Sequence, residues 1–299
     1  MADRIHYSSC PVCQQADLVA VFNVIDQLVS RESFTVMECR QCGCRLTQGA
    51  PDQQASSKYY QSTDYISHSN TSRGLINRIY QQVRKRTLQQ KVKWVEKAIG
   101  TPGGRVLDVG SGTGAFVEAL RKSGWQADGL EPDPSARKVA QADFGIALLD
   151  IEQLFQLPSA SVDAITLWHV LEHVHDLNGY MQQFHRLLKP GGSLLIALPN
   201  YTSWDAQYFG KWWAAYDVPR HLYHFSPEAV RSLSNRNGFS LASVRPMWYD
   251  AFYIALLSHQ HHQGRSRWFR SFLVGLISNF KTLQRAERGS SLVYVMRPN

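Results

Sequence analysis

The chain has 299 residues, 44% of them hydrophobic, and a formal net charge of +8. This is a globular composition, not a disordered or fibrous one, and the length has room for one large domain plus a small one. No run of about 18 apolar residues occurs and the first residues lack the apolar core of a signal peptide, so no transmembrane helix is expected and the location expected is cytoplasmic. The positive balance favours an anionic partner, whether nucleic acid, a phospholipid surface or a phosphorylated substrate.

Residues 1–50 read as a separate unit. Cys10-Pro-Val-Cys13 and Cys39-Arg-Gln-Cys42-Gly43 are two Cys-x-x-Cys knuckles separated by 25 residues. Four thiolates so spaced can close a tetrahedron, and Gly43 permits the tight turn after the second knuckle. Cys44 is a fifth cysteine that competes with Cys42 for the last position. Leu18–Asp26 and Ser33–Glu38 alternate enough to be two short strands. The pattern resembles a zinc ribbon, which implies structural Zn²⁺ on Cys10, Cys13, Cys39 and Cys42. Fifty residues with little core need such a staple.

Residues 51–100 read as a linker and a lid helix. The polar stretch 51–72 includes Tyr65, and from about Gly74 to Ile99 the apolar residues recur at helical spacing. Val106-Leu107-Asp108-Val109-Gly110-Ser111-Gly112-Thr113-Gly114-Ala115 then takes an apolar strand into a glycine loop and a helix. That layout brings backbone close to a ligand at the carboxyl end of a parallel strand. Further strands are expected at 126–131, 147–151, 163–169, 193–198, 239–245 and 290–297, alternating with helices. The fold expected is α/β.

The loop and the acidic strand ends resemble class I S-adenosylmethionine-dependent methyltransferases. Val170-Leu171-Glu172-His173 followed by Leu-Lys-Pro-Gly-Gly at 188–192 resembles the branch acting on small molecules and lipids, such as the ubiquinone-type O-methyltransferases. The resemblance covers roughly residues 90–245. It implies a Rossmann-like seven-stranded sheet over 101–299, with an insert at about 250–288 before the last strand. It implies S-adenosylmethionine as cofactor, held by Gly110, Ser111, Gly112 and Gly114. Asp108 would face its amino group and Glu131 its ribose hydroxyls. Asp150 would accept from the adenine amine, with Ile151 over the ring and Trp168 beside the reactive centre.

Methyl transfer to a hydroxyl or a carbon acid needs a base near neutral pKa, and histidine is the default. His169 is the first candidate and His221 the second, followed by His173 and His224. Glu172 would orient a histidine or bond the substrate. Tyr65, Tyr216 and Arg220 are expected to line the acceptor pocket, within an aromatic-rich segment running from Trp204 to Pro227. Ser226 reads as a helix N-cap with Pro227 at the first helical position. From Trp268 onward, apolar residues at 269, 272, 273, 276, 280 and 283 form one face flanked by Arg and Lys. Two readings stay open for this stretch: a helix packed on the sheet, or one lying in a membrane interface as a peripheral contact.

The acceptor expected is a small molecule, a lipid-linked intermediate or a sugar. One alternative is an RNA methyltransferase that binds through the ribbon and the 74–99 helix, made basic by Arg78, Arg84, Lys85, Arg86, Lys91, Lys93 and Lys97. Against it, the strand ending Leu-Trp-His-Val has no Asn/Asp-Pro-Pro-aromatic string and no Pro-Cys nucleophile. A second alternative is an enzyme like the nucleotide-sugar C-methyltransferases, whose ribbon is similar. A third is a non-catalytic binding protein, and the intact loop and acids argue against it.

Overall fold

The computed structural model describes residues 4–60, 75–100 and 102–299, and for 75–81 the helical backbone only. Tyr65 lies outside the described residues. Near the N-terminus, β1 (Leu18–Ile25), β2 (Ser33–Cys39) and β3 (Arg45–Gln48) pair antiparallel. In β2 the side chains of Phe34 and Val36 are buried and those of Ser33, Thr35 and Met37 are not, the period-2 pattern of a half-covered strand, which buried Cys39 breaks at the strand's end. Helix α1 (Leu75–Ile99) follows, and its Val92 and Val95 join a core cluster with Phe116 and Leu120.

Strands and helices then alternate: β4 (Arg105–Val109), α2 (Ala115–Lys122), β5 (Gln126–Leu130), α3 (Pro134–Phe144), β6 (Val162–Trp168), α4 (Leu177–Leu187) and β7 (Leu188–Pro199). The chain continues through α5 (Trp204–Phe209), β8 (Tyr223–His224), α6 (Pro227–Arg236), β9 (Phe239–Pro246), α7 (Asp250–Gln263), α8 (Trp268–Gln284) and β10 (Ser291–Pro298). β4 runs parallel to β5 and β6, and β6 parallel to β7. β10 lies antiparallel between β7 and β9. Val106 to Val109 are all buried, as a parallel strand covered on both faces requires. Ser226 caps α6 by accepting from the Ala229 amide at 3.0 Å, with Pro227 in the first turn, as the sequence predicts.

The large sheet has six strands in the order β5-β4-β6-β7-β10-β9, where seven were expected. The missing one is residues 147–151. Only Leu149 bridges to Leu130, and Asp150 then accepts from the Glu152 amide at 3.2 Å and caps a 3₁₀ turn over Ile151–Phe155. A short polar side chain bonding its own backbone two residues on competes with the ladder and ends it.

The ribbon is also less separate than its composition suggests. Its sheet is completed by β8 from the aromatic segment, with Arg45 opposite His224 and Leu46 opposite Tyr223. With these four strands the described residues form ten in two sheets. Cys10, Cys39 and Leu46 share one buried cluster with Leu171, Leu222 and Tyr223.

Candidate active site

The site is assembled at the carboxyl ends of β4, β5 and β6. Gly110, Gly112 and Gly114 have φ of 73°, 54° and 77°, all in the left-handed region that glycine takes without strain. A Cβ at Gly110 would lie 2.4 Å from Val170 Cγ2, so a side chain there would collide with the segment after β6. Ser111 Oγ donates to the Asp108 carbonyl at 2.9 Å and braces the loop.

Glu131, at the end of β5, is buried; its Oε2 accepts from the Gly112 amide at 2.7 Å and its Oε1 from the Asp133 amide at 2.9 Å. Burial raises its pKa above the ordinary carboxylate value, and the two amides pull against this. Asp108 is buried and its Oδ1 accepts from the Thr166 hydroxyl at 2.6 Å. Burial pushes its pKa up to about 6, with the hydroxyl and Lys91 acting the other way. In the sequence Lys91 is one charge of a basic helical run, and no motif gives it a role in the site. It reaches in from α1 with Nζ 4.5 Å from the Trp168 ring centre, and burial lowers its pKa to about 8 while Asp108 and Asp250 favour its charge. Trp94, also on α1, stacks on Trp168 at 6.0 Å.

Asp150 Oδ2 accepts from Arg137 Nη1 at 2.7 Å and its Oδ1 serves as the cap described above, which leaves a further lone pair on each oxygen. Ile151 packs against the main core cluster.

The histidine candidates gather beyond Trp168. His169 takes φ 60°, strained for a residue with a Cβ. Its Nε2 lies 3.1 Å from Asp250 Oδ2 and its Nδ1 3.5 Å from Glu172 Oε1. Burial acts to lower its pKa, but the two carboxylates prevail and raise it to about 9. Glu172 is fully buried and neither of its oxygens has a hydrogen-bond partner among the described residues. Burial alone would raise its pKa; His169, His221 and His173 around it bring it down.

His173 Nδ1 lies 3.1 Å from the Arg220 carbonyl and 3.1 Å from the Tyr60 hydroxyl. Burial, then His221, push its pKa down to about 4. His221 Nδ1 lies 2.9 Å from the Ala215 carbonyl, and the His173 and His221 rings meet edge to face at 4.6 Å. A carbonyl accepts only, so Nδ1–H is the donor in both rings and Nε2 is left with a lone pair. The Leu222 amide donates to the Glu172 carbonyl at 2.8 Å, joining the Val-Leu-Glu-His and Pro-Arg-His-Leu strings. Glu172, His173 and His221 each offer one ligand atom, all within 4.8 Å of one another, so this corner also has cation-binding geometry.

Other expected lining residues are engaged elsewhere. Arg220 donates through Nε to both Asp217 oxygens at 3.0 Å, through Nη2 to Asp26 Oδ1 at 3.1 Å and through Nη1 to the Tyr59 carbonyl at 2.9 Å. Tyr216 accepts from Arg45 at 2.6 Å, and His224 Nε2 pairs with Thr47 Oγ1 at 3.0 Å. These three tie the ribbon to the aromatic segment between β7 and α6.

At the ribbon, the Sγ atoms of Cys10 and Cys42 are 3.6 Å apart and those of Cys13 and Cys39 are 3.4 Å apart. All four lie within 4.8 Å of one another. A tetrahedral zinc thiolate with bonds of about 2.3 Å has edges near 3.8 Å, so the donor set fits. Cys44 is outside this group of four; its Sγ lies 3.4 Å from the Arg45 carbonyl and 3.9 Å from that of His224, on the Cys10 side of the cluster.

Comparison with known proteins agrees with this layout. A family model described as a methyltransferase domain matches residues 79–244. The ubiquinone biosynthesis O-methyltransferase of Pseudomonas aeruginosa is 31% identical over 117 residues, 37% of this chain and 50% of that protein. This chain therefore spans about half the length of that relative. The protein of the same name from Xanthomonas oryzae pv. oryzae is 31% identical over 175 residues, 54% of this chain and 72% of that one. Among solved structures, magnesium protoporphyrin IX methyltransferase from Synechocystis superposes with a TM-score of 0.54 at 15% identity, covering 83% of this chain and all of that one, a likeness of fold. The glycine loop, the acid at the end of β5 and the matched span together place this chain in the methyltransferase-domain family.

Proposed function

We propose that the chain transfers a methyl group from S-adenosylmethionine to a hydroxyl of a small-molecule or lipid-linked acceptor. The observation that carries this reading is the meeting of the open glycine loop with a buried Glu–His cluster across the end of β6. The relatives named for ubiquinone O-methylation support the hydroxyl as acceptor. When bound, the cofactor supplies an electrophilic methyl carbon on a sulfonium.

The residues of the chain do the rest. Positive φ at Gly110, Gly112 and Gly114 leaves room for close approach of the cofactor to backbone. Glu131 orients the loop through the Gly112 amide and has lone pairs left for ribose hydroxyls. Asp108, held by Thr166, presents negative charge to an ammonium group. Of the two leading base candidates, His221 is the better one. Its Nδ1–H is fixed on the Ala215 carbonyl, so Nε2 can take the acceptor proton. His169 lies between two carboxylates and is protonated at neutral pH, where it would orient Glu172 and favour negative charge on the acceptor oxygen. His173 is neutral and shapes the pocket against His221.

We further infer that Cys10, Cys13, Cys39 and Cys42 hold a structural zinc, a closed four-sulfur site with no open position for chemistry. The experiment that tests the main reading is turnover of methyl-labelled cofactor against lipid extract, aqueous small molecules and total RNA in parallel. Label in a lipid or small-molecule hydroxyl supports it, and label in RNA overturns it.

A further inference from the structure

Helix α8 is built inside out. Its buried residues are Ser271, Val274, Gly275, Ser278 and Thr282. Its aromatic and long aliphatic residues face outward, with Trp268, Phe269, Phe280 and Leu283 at 63%, 74%, 60% and 72% exposure. A helix serving only the core would turn the opposite face inward. The small inner face has its own purpose, because it brings α8 close to α7. A Cβ at Gly275 would fall 2.4 Å from the Phe252 ring. Ser278 donates to Asp205 at 2.7 Å and Thr282 to the Ser278 carbonyl at 2.9 Å, so the inward hydroxyls are satisfied. An unbroken outward apolar stripe on a soluble surface marks a contact with something else.

Charge identifies that partner. Between Asp250 and Glu287 there is no acidic residue, while Arg265, Arg267, Arg270 and Lys281 flank the stripe. A second copy of this chain, docked about a two-fold axis, would set these cations against their own images. An anionic bilayer surface complements both parts: headgroup phosphates meet the arginines, and the acyl boundary meets the aromatic stripe. Among the described residues no helix is long and apolar enough to cross a membrane, so α8 would lie in the plane of the interface.

We propose that the α7–α8 hairpin is a docking element for anionic phospholipid surfaces. Its other end is at the active site, since Asp250 at the start of α7 lies against His169. Docking would therefore bring the acceptor site to the lipid phase, a consequence that rests on the function proposed above, whereas the docking itself does not.

The test is flotation of the full chain with phosphatidylcholine vesicles and with mixed phosphatidylcholine–phosphatidylglycerol vesicles, at low and moderate salt. Binding is expected to the mixed vesicles and to weaken with salt. Each basic residue near an anionic surface contributes about fivefold, so replacing Arg265, Arg267 and Arg270 by Ser should weaken binding roughly a hundredfold. Phe269→Ser with Leu283→Ser should weaken it about tenfold or more, with an unchanged thermal midpoint showing that the fold is intact. The proposal is overturned if the full chain ignores the mixed vesicles or if neither variant set affects binding. A dimer in sedimentation equilibrium that the Phe269→Ser/Leu283→Ser variant dissociates would assign the face to a second copy and overturn it too.

Discussion

Asp250 Oδ2 and His169 Nε2 lie 3.1 Å apart across 81 residues of chain. This contact, together with Glu172 on the other ring nitrogen, keeps His169 charged well past neutral pH. Its pKa in the folded protein, about 9, is above the ordinary 6.5. The stabilisation from the contact is thus fully present below about pH 6.5 and is lost as pH rises through about 9. The side chain is 33% exposed, so the contribution is discounted for solvent to on the order of 1–2 kcal/mol. Urea unfolding followed from about pH 6 to about pH 10 should show this loss in the native protein, and Asp250→Asn should flatten it. An unchanged slope in Asp250→Asn would show that the pair does not hold the proton.

His221→Ala is expected to lower kcat by roughly a hundredfold, the usual scale for a positioned base, while the affinity for S-adenosylmethionine stays within about twofold. Single-turnover rates with an identified acceptor and calorimetry on the cofactor would separate the two effects. A larger kcat loss in His169→Ala than in His221→Ala would return the base assignment to His169.

At the cofactor loop, Gly110→Ala should remove cofactor binding, because the new Cβ falls 2.4 Å from Val170 Cγ2 at φ 73°. Gly110→Ala with Val170→Ala relieves the overlap but not the φ strain and should recover part of the affinity. Glu131→Gln should weaken binding about tenfold through loss of the charge-assisted bonds. Calorimetric titration reads all three, and normal binding by Gly110→Ala would exclude the loop as the site.

Cys42→Ser should lose bound zinc and Cys44→Ser should retain it, because the Cys44 thiol faces the Arg45 and His224 carbonyls. Metal analysis of the purified variants decides this. Chelation of the native protein should lower its melting temperature, since the four thiols share a buried cluster with the large sheet.

Arg220 is 1% exposed at its side chain, and its partner Asp26 is 0%. Removing one member of a buried ion group leaves the others uncompensated, so Arg220→Met should cost about 3–5 kcal/mol in urea unfolding. Burial raises the pKa of Asp217, but Arg220 more than offsets this and holds it below the ordinary carboxylate value. The native cluster therefore stabilises above about pH 4 and fails as pH falls below that range, and Arg220→Met should lose this acid-side dependence. A cost under about 1 kcal/mol would mean that the carboxylates find other partners.

Much of this protein is legible in the chain alone, wherever the determinant is local. Glycine at alternate positions after an apolar strand dictates a loop open to a ligand, and positive φ at Gly110, Gly112 and Gly114 follows from it. Two Cys-x-x-Cys pairs dictate a four-thiol cluster. Ser226-Pro227 marks the start of α6, and the periodicity over 75–99 marks α1. What needed the tertiary structure was every pairing of residues far apart in sequence. Asp150 pairs with Arg137 and caps a local turn, contacts that no motif announces, and the strand expected there shrinks to one bridge. Arg220 and Tyr216 read as pocket lining and His224 as a base candidate in the string, and all three have partners in the ribbon because β3 lies beside β8. Lys91 and Asp250 carry no motif and reach the site only because α1 passes across it and α7 begins there. The apolar periodicity of 268–284 is the same for a buried helix and a membrane-facing one. Packing α8 on α7 through Gly275 decides which face is left outside, since a close approach of two helices admits only the small side.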